Sequence, residues 1–137
     1  MLRLQDSVLY DYSQHGSHEL GLTGYAMMHK KYLIEYAKHM PAMIRDFVDE
    51  HHNCEDIAMN YLIAHRTRKA VIKIGNKGKL DYATNSAGIS SKGDHLKHRH
   101  MCIQLFDRIY GYSPLVSSSV EVLPHDYSSQ ATCMKHF

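Results

Sequence analysis

Asn53-Cys54-Glu55-Asp56-Ile57-Ala58-Met59-Asn60 reads as the beginning of a helix. Asn53 is a good N-cap, because its short side-chain oxygen can accept a backbone N–H that the first turn leaves without an intrahelical partner. Glu55 and Asp56 then fall in that first turn, where the aligned amide dipoles favour negative charge. Ile57, Ala58, Tyr61, Leu62 and Ala64 follow as the apolar positions of the same segment.

Upstream, Lys31–His39 is expected to be helical with Tyr32, Leu33, Tyr36 and Ala37 on one face. Pro41 ends that helix and opens another through Ile44, Phe47 and Val48. Residues 19–29 mix small and apolar side chains with two glycines, which suits a buried strand whose backbone approaches another chain segment closely. Downstream, the β-branched run 70–74 predicts a short strand, and 75–93, rich in Gly, Ser, Asn and Lys, predicts a loop. Asp94 can cap a last helix that ends at Gly111, with Cys102, Leu105, Phe106 and Ile109 as its buried stripe. Beyond Pro114 a serine-rich, partly extended tail is expected. Strands alternating with helices argue for an α/β layer fold, and two clear strands make an incomplete sheet.

The 137 residues have the length of one domain, and 44% apolar against 22% charged side chains excludes a disordered tail or a membrane-embedded bundle. A formal charge of +2 is far from the basic balance that a sequence-independent grip on phosphate backbones needs, so nucleic acid is not an expected partner. The basic stretches Arg66-Thr67-Arg68-Lys69 and His95-Leu96-Lys97-His98-Arg99-His100 read as solvated helix surface. No apolar run reaches the ~18 residues that span a bilayer, and Met1-Leu2-Arg3-Leu4-Gln5-Asp6 lacks the pattern of a signal peptide.

Cys54, Cys102 and Cys133 make an odd number, which leaves free thiols and one bond plus a leftover cysteine both open. A bond between Cys54 and Cys102 would staple one helix start to the middle of another. Arg99, three residues before Cys102, would then share its helix face and approach Asp56 in the opposing first turn. Such a pair suits transfer from a nucleotide sugar: the acid stabilises charge at the anomeric carbon or orients the acceptor hydroxyl, and the arginine meets the departing diphosphate. An acid in a first helical turn is also a routine cap, and a lone acid–arginine pair is commonly structural.

The 53–60 stretch resembles the signature of the exostosin-like glycosyltransferase domain, which reads N-C-E/D-D-I-A-M-N. Leu22-Thr23-Gly24, His29-Lys30-Lys31-Tyr32, Met40-Pro41, Ile44-Arg45 and Val48-Asp49 are similar to the same family, in the same order. So are Thr67-Arg68-Lys69, Arg99-His100-Met101-Cys102-Ile103 and Tyr110-Gly111-Tyr112-Ser113-Pro114-Leu115, while Leu123-Pro124-His125-Asp126 with Cys133 resembles the exostosin-like 3 branch.

The resemblance implies the C-terminal portion of a GT-A nucleotide-sugar transferase fold. It implies a retaining transfer of N-acetylglucosamine from UDP-N-acetylglucosamine to a glucuronic-acid-terminated glycosaminoglycan acceptor in heparan sulfate biosynthesis. By the same resemblance, Cys54 and Cys102 form a disulfide, Asp56 and Arg99 are catalytic, and Asn53 and Glu55 bind substrate. The family binds manganese through an Asp-x-Asp on its N-terminal half and works in the endoplasmic reticulum or Golgi lumen behind a type II membrane anchor. This chain has neither the anchor nor an Asp-x-Asp. Residues 1–137 are therefore expected to be a partial domain that needs the N-terminal half or a partner transferase, and inactive alone. A catalytically silent module that binds a glycan or a partner is the alternative. A histidine-based metal site drawn from His51, His52, Cys54, Asp56, His95 and His98 is a further one, although no standard zinc spacing occurs.

Overall fold

The computed structural model describes Leu20, residues 26–74 and residues 95–122. Helix α1 (Lys31–His39) stops where Met40, next to Pro41, turns to an extended ψ of 132°, because a residue before proline is pushed out of the helical region. Helix α2 (Ala42–His51) starts at once, with the N–H groups of Ile44 and Arg45 donating to the Pro41 carbonyl. The Arg45 guanidinium donates to the Ala37 carbonyl at 2.9 Å and so ties α2 to the end of α1. Helix α2 ends at His52 in the left-handed region, and α3 (Glu55–Thr67) begins three residues later.

Arg68, with φ 55°, closes α3 through its N–H to the Ala64 carbonyl. Strand β1 (Lys73–Ile74) follows. Helix α4 (His95–Tyr110) runs to Gly111, whose φ of 77° is the left-handed C-terminal position that glycine takes without strain. Strand β2 (Glu121–Val122) pairs with β1 in parallel, Lys73 opposite Glu121 and Ile74 opposite Val122.

The core lies between α2, α3 and α4: Met40, Ile44, Val48, Ile57, Ala58, Tyr61, Leu62, Ile103 and Phe106 are buried together with Cys54 and Cys102. Phe106 presents an edge to Tyr61 at 5.5 Å between centroids and another to Phe47 at 6.4 Å. Burying a side chain of that size stabilises by roughly 1.5–3 kcal/mol. Helix α1 packs on α3 but contributes no fully buried residue, so Tyr36 is only half-buried and Leu33 and Ala37 are exposed.

The four helices lie where their apolar spacing and the stop signals at Pro41 and Gly111 indicate, whereas strand structure among the described residues is a single short parallel pair. The described part is thus mostly helical rather than an even alternation of strands and helices. The strand expected over 70–74 is confined to Lys73–Ile74, matching the two residues its partner offers. Of the strand expected over 19–29, residues 26–29 are irregular and exposed, with Met27 at 92% exposure. Among the described residues no strand pairs with that stretch, and its Met27 and Met28 side chains are exposed. The Asp94 cap, the 75–93 loop, Cys133 and residues 21–25 lie outside the described residues.

Candidate active site

Cys54 and Cys102 are joined by a disulfide with 6.4 Å between their Cα atoms, and both are fully buried. Cys54 holds the position just before α3 in a left-handed conformation, φ 74°. Asn53 is therefore displaced by one residue from the N-cap role its sequence position suggested. Its side-chain oxygen instead accepts the Cys54 N–H at 2.8 Å and a contact from Arg99 Nη1 at 3.4 Å. The first turn closes through the Ala58 N–H to the Cys54 carbonyl.

Asp56 and Arg99 meet directly. Arg99 Nη2 donates to Asp56 Oδ2 at 2.7 Å, and each side chain is 6% exposed. The other carboxylate oxygen, Oδ1, accepts the Ile57 N–H at 2.8 Å, which serves one of the orphan donors of the helix start. Asn60 Nδ2 donates to the Asp56 carbonyl at 2.7 Å. The helical spacing of Arg99 and Cys102 is what brings this about, because the disulfide fixes the α4 face that meets the head of α3. Arg99 is therefore buried, in contrast to the solvated surface expected for 95–100, while Lys97 keeps that exposure.

The pair is closed on itself rather than spread across an open space. Two surface grooves lie elsewhere: one of about 290 Å³ lined by Lys31, Tyr32, Glu35, His39, Arg66 and Thr67, another of about 220 Å³ lined by Phe47, Met101, Gln104, Leu105 and Arg108. Glu55 is exposed beside the pair. Burial raises the Tyr36 phenol above its ordinary value, and the charges of Asp49 and Glu55 push it further up. Burial also raises Tyr110.

Sequence reasoning missed the polar tie between α3 and α4. Tyr61, assigned to the core, is buried, and its hydroxyl donates to Asp107 Oδ1 at 2.7 Å, with the Ile103 carbonyl at 3.3 Å. A signal existed, since an acid in the last turn of a helix is disfavoured by the backbone dipole and calls for a partner. The buried strand expected over 19–29 likewise fails at Met27 and Met28, which are exposed.

Among the described residues no three His, Cys, Asp or Glu side chains converge on a metal position. Cys54 is consumed by the disulfide and Asp56 by Arg99 and the Ile57 N–H, so two donors of the histidine-based set are taken and the remaining described residues do not fit manganese. His51 and His98 meet edge to face with 5.8 Å between ring centroids. No described helix is long and apolar enough to cross a membrane.

Residues 3–127 match the Glycosyl transferase family 64 domain. The chain is 44% identical over 113 residues to the Exostosin-like-3 homolog of Caenorhabditis elegans, covering 82% of this chain and 14% of that protein. It is 43% identical over 108 residues to Glycosylinositol phosphorylceramide mannosyl transferase 1 of Arabidopsis thaliana, covering 79% and 31%. To Exostosin-2 of Homo sapiens it is 44% identical over 96 residues, covering 69% and 13%. The chain thus spans less than a third of the length of these relatives. With the family's signature residues gathered at one disulfide-bonded helix start and the match running through nearly all of its length, the chain belongs to the glycosyl transferase family 64 domain family.

Proposed function

We propose that this chain is the C-terminal portion of a GT-A glycosyltransferase domain. Completed, that domain transfers N-acetylglucosamine from UDP-N-acetylglucosamine, with retention, to a glucuronic-acid-terminated acceptor of heparan sulfate biosynthesis. The observation that carries this reading is the buried Asp56–Arg99 ion pair, held at the head of α3 by the Cys54–Cys102 bond in a family 64 chain.

In this reading Arg99 and the Ile57 N–H fix the Asp56 carboxylate in orientation and keep negative charge beside the reacting anomeric carbon, where positive charge grows in the transition state. When the donor enters, the guanidinium also meets the diphosphate, whose oxygens suit its planar fork. The Asn53 side-chain oxygen accepts a contact from Arg99 Nη1 and helps to position the guanidinium. Glu55, exposed in the first turn, faces solvent where an acceptor arrives. Manganese is assigned to no residue of this chain, and no step is routed through it. The disulfide favours an oxidising compartment, which fits the endoplasmic reticulum or Golgi lumen.

A catalytically silent glycan- or partner-binding remnant is the second reading, and one observation favours it: both Asp56 oxygens are already engaged within the chain. The two separate in a chimera in which this chain replaces the matching segment of the Caenorhabditis elegans relative. Given UDP-N-acetylglucosamine, a mannosyl donor and a glucuronate-terminated acceptor, the chimera is expected to form an α-linked N-acetylglucosamine product, read by NMR. A folded chimera with the disulfide intact and no product from either donor overturns the transferase reading, and product from the mannosyl donor alone overturns the donor.

A further inference from the structure

The cations of the described residues are unevenly placed. Lys31, Lys38, Arg66, Arg68 and Lys69 are exposed on α1 and at the C-terminal end of α3, whereas α2 exposes Asp46, Asp49 and Glu50. Where α1 packs on α3, the groove of about 290 Å³ carries Lys31, His39 and Arg66 with a single acid, Glu35. Arg66 Nη2 stands 3.2 Å from Glu35 Oε2 with the side chains 44% and 35% exposed, an ion pair wet enough to exchange for another anion at little cost. The Tyr32 ring lies in the same groove with Lys31 Nζ 4.9 Å from its centroid, an aromatic surface next to cations.

Arg68 supplies an independent observation. It follows groove-lining Thr67 and has φ 55°, at a helix end where glycine is the ordinary choice because a Cβ is strained there. Its guanidinium lies 5.0 Å from the Tyr112 ring centroid, and the Tyr112 hydroxyl is 2.6 Å from His65 Nδ1. A cation thus occupies a strained position and is propped in one direction by two further side chains.

We infer that this groove, with Arg68 and Lys69 beside it, is a binding site for an anionic polysaccharide. Carboxylate or sulfate groups lie on Lys31, Arg66 and Arg68, and a sugar ring lies on Tyr32. The inference rests on the glycan-acting reading above and extends it to a second place. Arg66 is about 15 Å along the α3 axis from Asp56, at 1.5 Å of rise per residue, so the groove holds the polymer away from its reacting end.

The test is fluorescence anisotropy of the full chain with an end-labelled heparin hexasaccharide across a salt series. Arg68→Gly relieves the left-handed strain, so its unfolding midpoint is expected to stay or rise while the dissociation constant increases about fivefold at low salt, as for loss of one cation facing a polyanion. Arg66→Gln is expected to weaken binding by a similar factor, and Lys97→Gln, exposed on α4 away from the groove, to leave it unchanged. The site is overturned by an Arg68→Gly variant that binds as well as the parent, by an equal loss in Lys97→Gln, or by equally tight binding of a single-stranded RNA of the same charge. The assay involves no transfer, so an inactive chimera leaves its result standing, and an active chimera does not rescue a groove that fails to bind.

Discussion

Asp56 and Arg99 stand 43 residues apart in sequence and 2.7 Å apart in space, each almost wholly withdrawn from water. Removing one partner of such a pair leaves the other charge buried and uncompensated, which costs about 3–5 kcal/mol. Asp56→Asn is therefore expected to lower the unfolding free energy by about that amount in a denaturant titration. The double variant Asp56→Leu/Arg99→Met, which removes both charges, should recover most of the loss; a double variant as unstable as the single would show that shape rather than charge holds the site.

The Cys54–Cys102 bond closes 48 residues. In the chain-entropy treatment that constraint stabilises the fold by about 4 kcal/mol. Thermal melts with and without reductant should show a lower midpoint on reduction, and Cys54→Ala/Cys102→Ala should match the reduced protein and no longer respond to reductant.

Tyr36 and Tyr110 both titrate above the ordinary tyrosine value, chiefly because burial disfavours the phenolate. With the folded value above the unfolded one, the stabilisation is complete below about pH 10 and is lost as pH rises through the folded value. Absorbance at 295 nm should show that Tyr36→Phe and Tyr110→Phe each remove a phenol that ionises above the ordinary tyrosine value. Stability should fall on the alkaline side, and Tyr36→Phe with Tyr110→Phe should flatten that limb.

Much of this was legible in the chain because the signals were local. Pro41 and Gly111 end helices by their own backbone chemistry, and the Ile44 and Phe106 positions follow a 3.6-residue period that packing then uses. The joining of Asp56 to Arg99 followed from the three-residue spacing of Arg99 and Cys102 on one helix face once the two cysteines were paired, and that pairing came from family resemblance rather than from any local rule. The strand readings were weaker because a strand exists only through its partner: β1 is as long as β2 lets it be, and 26–29 has none among the described residues. Asn53 looked like a cap because its side chain suits one. The disulfide sets Cys54 in that place and turns Asn53 toward Arg99, a long-range effect that residue type cannot register.

The Tyr61 hydroxyl is the buried donor that ties α3 to Asp107 on α4. Tyr61→Phe removes that bond while keeping the ring against Phe106, and is expected to cost about 1.5–3 kcal/mol, the range for a hydrogen bond to a charged group. Tyr61→Phe/Asp107→Leu should cost less than the two single changes added together, as denaturant midpoints would reveal.

The central claim is that Asp56, clamped by Arg99, acts on the sugar being transferred, and the most direct measurement is kcat in the chimera carrying this chain, compared with its Asp56→Asn form. Both are to be assayed below the unfolding midpoint with the disulfide confirmed by mass. The expected result is a loss of at least about a hundredfold in kcat with little change in donor KM, as for an electrostatic contact made in the transition state. An Asp56→Asn chimera that stays folded and turns over at the parent rate would contradict it.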